Sequence, residues 1–272
     1  MTSQEIESSL ERQIAPWLEH MRWRSDFDLW RQKRLWQENY QAEALADFDR
    51  AAVGAPPLAP VLDLGAGMGG FAVALARRSR PVTALDYNPA YCEITRTRAR
   101  RYDLDLPALV AAGEGLPFAN GSFAVVTCWD VLEHVQNPGK LLSEIARVLC
   151  PGGRALITVI NRLALVDPHY HLRGINWLPR PLAERYIGWR RRTKRTALQD
   201  RQRLSEMHYY TFAGFVGGAK RSGFVVEDLL KTRSRFRRLP GPLGSLFYLT
   251  WRTFGMGTFR VVLSKTTEDQ AR

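Results

Sequence analysis

The ten residues VLDLGAGMGG, Val61 to Gly70, read as a short buried strand that runs straight into a glycine-rich turn. Gly65, Gly67 and Gly70 stand in GxGxxG spacing, with Asp63 two residues ahead of the first glycine. Glycine lets a strand-to-helix turn tighten and lets backbone N–H groups approach a ligand closely. Nicotinamide and flavin sites use the same glycines, so the motif alone leaves the ligand class open.

Working outward, short apolar runs alternate with helical stretches. FAVALARR continues from the turn as a helix, VTALD (82–86) is a second strand, and a helix then runs to about Tyr102. PALVAAG is a third strand and FAVVTCWD a fourth. KLLSEIARVL is an amphipathic helix ending at CPGG, and RALITVI is a fifth strand. Such alternation predicts an α/β fold, a parallel sheet covered by helices on both faces. Asp86 closes the second strand, spaced to hydrogen-bond the ribose hydroxyls of a bound nucleoside.

Residues 1–57 form a helical extension on this reading. Leu10, Ile14, Trp17 and Leu18, then Trp23, Phe27, Trp30 and Leu35, recur at helical spacing, and the prolines of VGAPPLAP (53–60) supply a linker. Four tryptophans between 17 and 36 suit packing better than a nucleic-acid stacking surface. The main domain is expected over 58–272. After Asn161 the rhythm lapses, apart from GFVVEDLLK (223–231) and TFRVVLSK (258–265), which read as two closing strands. The segments 162–222 and 232–257 are therefore insertions. In the first, Leu178, Leu182, Tyr186 and Trp189 fall on one helical face.

With 272 residues, 45% hydrophobic and 24% charged, the chain has ordinary globular composition. Cys92, Cys128 and Cys150 are separated and form no CxxC pair, which argues against a disulfide framework or a cysteine zinc site and for a reducing cytoplasm. The amino terminus has no continuous apolar core of a secretory signal, and GPLGSLFYLTW (241–251) is too short to span a bilayer. A net charge of +12 and a pI near 10.0 imply an anionic partner: nucleic acid, a membrane surface or an acidic substrate.

Taken in order, VLDLGAGMGG, VTALDYNP, GEGLPFANGSFAVVTCWDVLEHV and LLSEIARVLCPGGRALIT resemble the class I S-adenosylmethionine-dependent methyltransferases, of the type 11 kind, over about residues 60–160. The resemblance implies a Rossmann-like, doubly wound sheet of seven strands, six parallel and the last antiparallel, with S-adenosylmethionine across the strands' carboxyl ends. It also implies that Gly65, Gly67 and Gly69 border the methionine part, that Asp63 orients its amino group, and that Asp86 holds the ribose with Tyr87 near the adenine. Where relatives often read DAExLPF this chain has AGEGLPF, so Ala112 replaces the usual carboxylate, and the backbone at Gly113 and Glu114 is left to read the adenine edge. Trp129 and Asp130 fall where the family lines the reactive sulfur.

The segment CWDVLEHV (128–135) holds Asp130, Glu133 and His134, which converge on one face if the segment is helical. Histidine is the usual residue type for a general base near neutral pH, which makes His134 the candidate for deprotonating an acceptor. The ubiquinone-biosynthesis O-methyltransferases carry a similar segment, and the small-RNA 2′-O-methyltransferases a comparable ExxEH. Those resemblances imply a divalent cation at Asp130, Glu133 and His134, with His169 or His171 as a fourth ligand. Base, metal ligand and packing residue all stay open for this cluster.

Both insertions and the amino-terminal helices are expected to cover the acceptor side. From 180 to 203 the sequence has nine Lys and Arg against two acidic residues. Arginines among aromatics suit a small-molecule, glycan or lipid-linked acceptor, with an anionic membrane surface as a candidate partner of a peripheral protein. The expected activity is O-methylation. A nucleic-acid (RNA) methyltransferase and a non-catalytic binding protein on the same fold are the alternatives.

Overall fold

The computed structural model describes residues 2–22, 24–190, 203–231 and 242–266. Seven strands form one sheet: β1 (Val61–Leu64), β2 (Val82–Asp86), β3 (Ala108–Val110), β4 (Phe123–Cys128), β5 (Leu149–Ile160), β6 (Phe224–Asp228) and β7 (Thr258–Lys265). Their spatial order is β3-β2-β1-β4-β5-β7-β6. Pairs among β1 to β5 are parallel, and β7 runs antiparallel to both β5 and β6. The sheet is thus six parallel strands and one antiparallel, as the family resemblance implies.

Alternate residues of the central strands serve opposite faces, which is why these strands are apolar throughout. Leu62, Val126, Ile157 and Val261 pack on one side against Leu141, Leu142 and Ile145 of helix α6 (Pro138–Val148) and Phe215 and Ala219 of α8 (Phe212–Arg221). Val61, Val125, Leu156 and Val262 pack on the other, against Leu45 and Phe48 of α3 (Ala42–Ala51), Phe71 and Val73 of α4 (Gly70–Ala76) and Cys92 and Ala99 of α5 (Pro89–Arg100). Helix α6 shows how sequence sets the element. Asn137 caps its start by accepting from Lys140 N (3.0 Å), Pro138 takes the first turn, and Leu141, Leu142, Ile145 and Val148 form its buried stripe. Each such leucine contributes roughly 1.5–3 kcal/mol through removal from water.

The amino-terminal segment packs on this domain. Helix α1 (Ser3–Leu18) opens with a Thr2/Glu5 capping box and buries Ile6, Leu10, Ile14, Trp17 and Leu18 against Ile94 of α5. Helix α2 (Phe27–Leu35) follows. The fully buried Arg98 then joins three parts of the chain: its guanidinium donates to the carbonyls of Arg34 (3.0 Å), Leu35 (2.8 Å) and Met68 (2.8 Å) and pairs with the buried Glu38. Arg101 reaches Glu38 and Glu7 and lies over the Trp36 ring at 3.8 Å. Trp17, Trp30 and Trp36 thus pack as expected; Trp23 lies outside the described residues.

In the first insertion, α7 (Arg180–Trp189) buries Ala183 and Ile187. The face expected from Leu182, Tyr186 and Trp189 exists, with the Tyr186 and Trp189 rings 5.7 Å apart, but Leu182 and Trp189 are exposed because the hydrophobic neighbours of α7, Tyr170, Ile175 and Leu204 among them, lie on the opposite side. In the second insertion, α9 (Pro242–Thr250) runs into a π-helical turn, Trp251–Gly255. The basic runs at 191–195 and 232–238 lie outside the described residues.

Candidate active site

Strand order reverses between β1 and β4, and the crevice beyond the carboxyl ends there is where doubly wound sheets take ligands. The glycine-rich turn enters it from β1. Gly65 has φ +71°, and a side chain there would drive into Val131. Gly67, at φ +54°, has no protein atom within 4 Å of where a Cβ would sit. The first glycine is therefore demanded by backbone and packing, the second by backbone with open space beside it, which suits a close ligand. Gly69, also left-handed, caps α4.

Two carboxyl groups border the turn. Asp86, at the end of β2, accepts from Gly67 N (2.8 Å) and Asn88 N (2.9 Å) and so aligns the loop with the second strand. Burial raises its pKa against the effect of those bonds. Asp63 is fully buried and accepts from Thr127 Oγ1 across the β1–β4 pairing (2.8 Å). Burial pushes its pKa to about 7, opposed by the Thr127 bond and assisted by the Asp86 charge. Tyr87 is exposed beside Asp86, and Gly113 packs on Leu141. The Glu114 side chain has a use the sequence did not disclose, accepting from Gln136 N (2.8 Å) and Asn137 N (3.3 Å) ahead of α6.

CWDVLEHV is a turn, and the helical reading of it is corrected. After β4 the chain reverses with Asp130 in the left-handed region at φ +53°. Asp130 N donates to Thr158 Oγ1 (2.5 Å), which in turn donates to Asp130 Oδ1 (2.9 Å). This bond points the Asp130 carboxylate at β5. Its surface reaches solvent, yet protein crowding around the carboxyl, and then the Glu133 charge, raise its pKa. The Trp129 indole packs edge-on to Phe71 at 5.4 Å, with Nε1 buried and without a hydrogen-bond partner among the described residues.

Glu133, His134 and His169 come together, each offering a ligand atom within 4.8 Å of the others. Glu133 is buried, and neither of its oxygens meets a donor in hydrogen-bonding geometry among the described residues. His169 Nε2 lies 3.3 Å and His134 Nε2 3.7 Å from Glu133 Oε1. His169 is held by an Asx turn in DPHYHL, where Asp167 Oδ1 accepts from His169 N (2.9 Å) and Tyr170 N (2.7 Å). Asp130 stands outside this trio, and so does the exposed His171. The returning arm of the insertion closes over it. His208 N donates to Glu133 O (3.0 Å), the Tyr209 ring stacks at 6.3 Å from His169, and the Arg180 guanidinium lies 4.7 Å over Tyr209. Thr158, Tyr209 and Arg180 were not legible as site residues, because no local motif surrounds any of them.

The sequence model of the Methyltransferase domain family matches residues 62–157, from β1 into β5. Residues 62–157 are thus similar to a methyltransferase domain. The chain is 34% identical over 146 residues to the ubiquinone biosynthesis O-methyltransferase of Caulobacter vibrioides, covering 50% of this chain and 57% of that protein. The Xanthomonas oryzae protein of the same name is 34% identical over 122 residues, 42% of this chain and 51% of the relative. The chain thus spans about half the length of the curated relatives it matches. Among solved structures, the Streptomyces coelicolor geranyl diphosphate C-methyltransferase aligns with a TM-score of 0.54 at 19% identity, over 90% of this chain and 86% of that one. The [4+2]-cyclase SpnF aligns at 0.52 and 18%, over 82% of this chain and 81% of that one. These structural likenesses concern the methyltransferase fold alone.

Proposed function

We propose that the protein transfers a methyl group from S-adenosylmethionine to a hydroxyl oxygen of a small-molecule, glycan or lipid-linked acceptor. The observation that carries this reading is the convergence, at one end of the sheet, of the open space beside Gly67 and Asp86 with the Glu133, His134 and His169 trio. The names of the curated relatives support oxygen as the acceptor atom.

Methyl transfer from a sulfonium is an in-line displacement. The acceptor oxygen attacks the methyl carbon, the carbon–sulfur bond breaks with its electron pair going to sulfur, and the hydroxyl proton passes to a base. The donor is already activated, so the chain's task is alignment, exclusion of water and proton removal. On this reading Asp86 accepts from the ribose hydroxyls and Asp63 interacts with the donor's amino group. His134, part-exposed beside buried Glu133, is the acceptor's candidate base.

The trio also fits a divalent cation. A buried carboxylate with two unpartnered oxygens, beside two imidazoles, is a donor set suited to Mg2+-like or softer ions. Glu133, His134 and His169 would hold it, and its chemistry would be to lower the pKa of a bound hydroxyl.

Isotopically labelled donor, incubated with the protein and cell extract and read by mass spectrometry, tests the reading. Label in an O-methylated metabolite, glycan or lipid is expected. Label in RNA would replace the acceptor class. No donor binding by calorimetry would replace catalysis with a binding role.

A further inference from the structure

The carboxyl end of β5 carries an apolar surface that the methyl-transfer reading does not use. In α9 and the π turn that follows, Leu243, Leu246, Phe247 and Phe254 recur at i, i+3, i+4 and i+11, the spacing of one helical stripe, and all four are exposed, Leu243 by 80% and Phe247 by 53%. A helical stripe of this kind normally faces a core. Here Tyr248 is the residue turned inward, bonding through its hydroxyl to Asp228. The surface extends onto the first insertion, because Trp177 meets Phe254 edge-on at 6.3 Å and Leu165 N donates to Phe254 O (2.9 Å). Trp177 and Leu165 are themselves exposed. Monomeric surfaces seldom leave so large a contiguous apolar patch to water.

Charge decides what covers it. No Asp or Glu occurs between residues 241 and 266. The patch is flanked in sequence by KTRSRFRR (231–238), with five cationic residues and no acidic one, and by RYIGWRRRTKR (185–195), with six and none. Arg173, Arg185 and Arg190 are exposed. A second copy of the chain would bring like charges face to face, in a protein of net charge +12. A nucleic acid would gain little from aliphatic leucines at the centre of its footprint. An anionic bilayer satisfies both features: acyl chains take the exposed leucines and phenylalanines, the Trp177 ring sits at the boundary, and the positive charge that adjoins the patch in sequence favours anionic headgroups.

We infer that α9 and its π turn are an interfacial membrane-binding element that seats the protein on an anionic lipid surface. No described helix is long and apolar enough to cross a membrane, so the element lies in the interface. It is fastened to the catalytic end of the sheet. Asn161, immediately after β5, donates through its side-chain amide to the carbonyls of Arg252 (3.2 Å), Thr253 (2.9 Å) and Met256 (2.8 Å). The mouth of the donor crevice and the lipid-facing element therefore share one end of the sheet.

Full-length protein is mixed with vesicles of phosphatidylcholine alone or of phosphatidylcholine with phosphatidylglycerol, and the bound fraction is measured by sedimentation. Strong partition to the anionic vesicles is expected, weakened by salt, and at least tenfold lower for Leu246→Ser/Phe247→Ser. Both residues are exposed, so the variant should melt at the wild-type temperature, which is measured alongside. No partition by the wild-type protein overturns the inference. So does equal partition by the variant, or a wild-type dimer that the variant abolishes in the absence of vesicle binding.

Discussion

His169 Nε2 lies 3.3 Å from Glu133 Oε1, so an insertion that follows the fifth strand supplies a side chain to a carboxylate that follows the fourth. The pairing joins the first insertion to the turn after β4. Its first consequence concerns metal. Mn2+ should bind with a stoichiometry near one per chain in an electron paramagnetic resonance titration, and turnover should fall in chelator and return with Mg2+. Glu133→Gln should lose the Mn2+ signal while remaining at least as stable as wild type in chelator, because an amide removes the need for a compensating charge at a buried site. Full turnover in chelator, with no bound Mn2+, would leave the trio to proton transfer or packing.

Asp86 accepts from Gly67 N and Asn88 N while closing β2. Asp86→Ala removes the anchor of the glycine-rich turn and, on the proposed reading, the acceptor for the ribose hydroxyls. Hydrogen bonds to a charged group are worth about 1.5–3 kcal/mol, so S-adenosylmethionine affinity by calorimetry should fall by roughly tenfold or more. Unchanged affinity would remove Asp86 from the donor site.

Asp63 carries a pH signature. Its pKa rises from 3.8 unfolded to about 7 folded, chiefly through burial, so between those values the folded state binds more protons than the unfolded one. Stability from this group is full below about pH 4 and is lost as pH rises through about 7. Asp63→Asn should flatten the decline between about pH 4 and pH 7 in urea unfolding, by a few kcal/mol at most. Donor binding runs the other way: an ionised Asp63 attracts the donor's ammonium, so wild-type affinity should increase as pH rises through 7. Parallel pH profiles for Asp63→Asn and wild type would falsify both halves.

Arg98 is buried with Glu38, and its other donors hold three carbonyls. Removing one partner of a buried pair costs about 3–5 kcal/mol when the other is left uncompensated; Arg101 and Tyr102 still meet Glu38, so the loss should fall toward the low end of that range. Arg98→Ala should lower the denaturation midpoint accordingly, while Arg98→Ala/Glu38→Gln recovers part of the loss. Equal destabilisation of the single and double variants would show that the carbonyl contacts, rather than the ion pair, dominate.

Local periodicity carried most of the fold. Strand β1, the glycine turn and the Leu141/Ile145/Val148 stripe each follow from spacing within a dozen residues. The gathering of Asp63, Gly67 and Asp86 at the carboxyl ends of β1 and β2 was legible for the same reason, since they sit at the ends of elements that patterning locates. Legibility failed where partners are distant in sequence. Thr158 holds the Asp130 carboxylate from 28 residues downstream, and His169 reaches Glu133 through a loop that no periodicity describes. DPHYHL offered two histidines, and only the Asx turn at Asp167 determines which of them faces inward. Exposure of Leu182 and Trp189 was equally hidden, because helical spacing identifies a face without saying what opposes it.

The Arg98 contacts also separate two units that share a name. The match to the Methyltransferase domain family model begins at residue 62, whereas the Met68 carbonyl in the glycine-rich turn is held by a side chain whose remaining bonds end at residues 34, 35 and 38. The stretch that the family model matches is thus smaller than the stretch that must fold with it. A fragment cut at the edge of that match would leave a guanidinium facing water where two backbone carbonyls and the Glu38 carboxylate had been, and its failure to bind donor would say nothing about the chemistry of the whole chain.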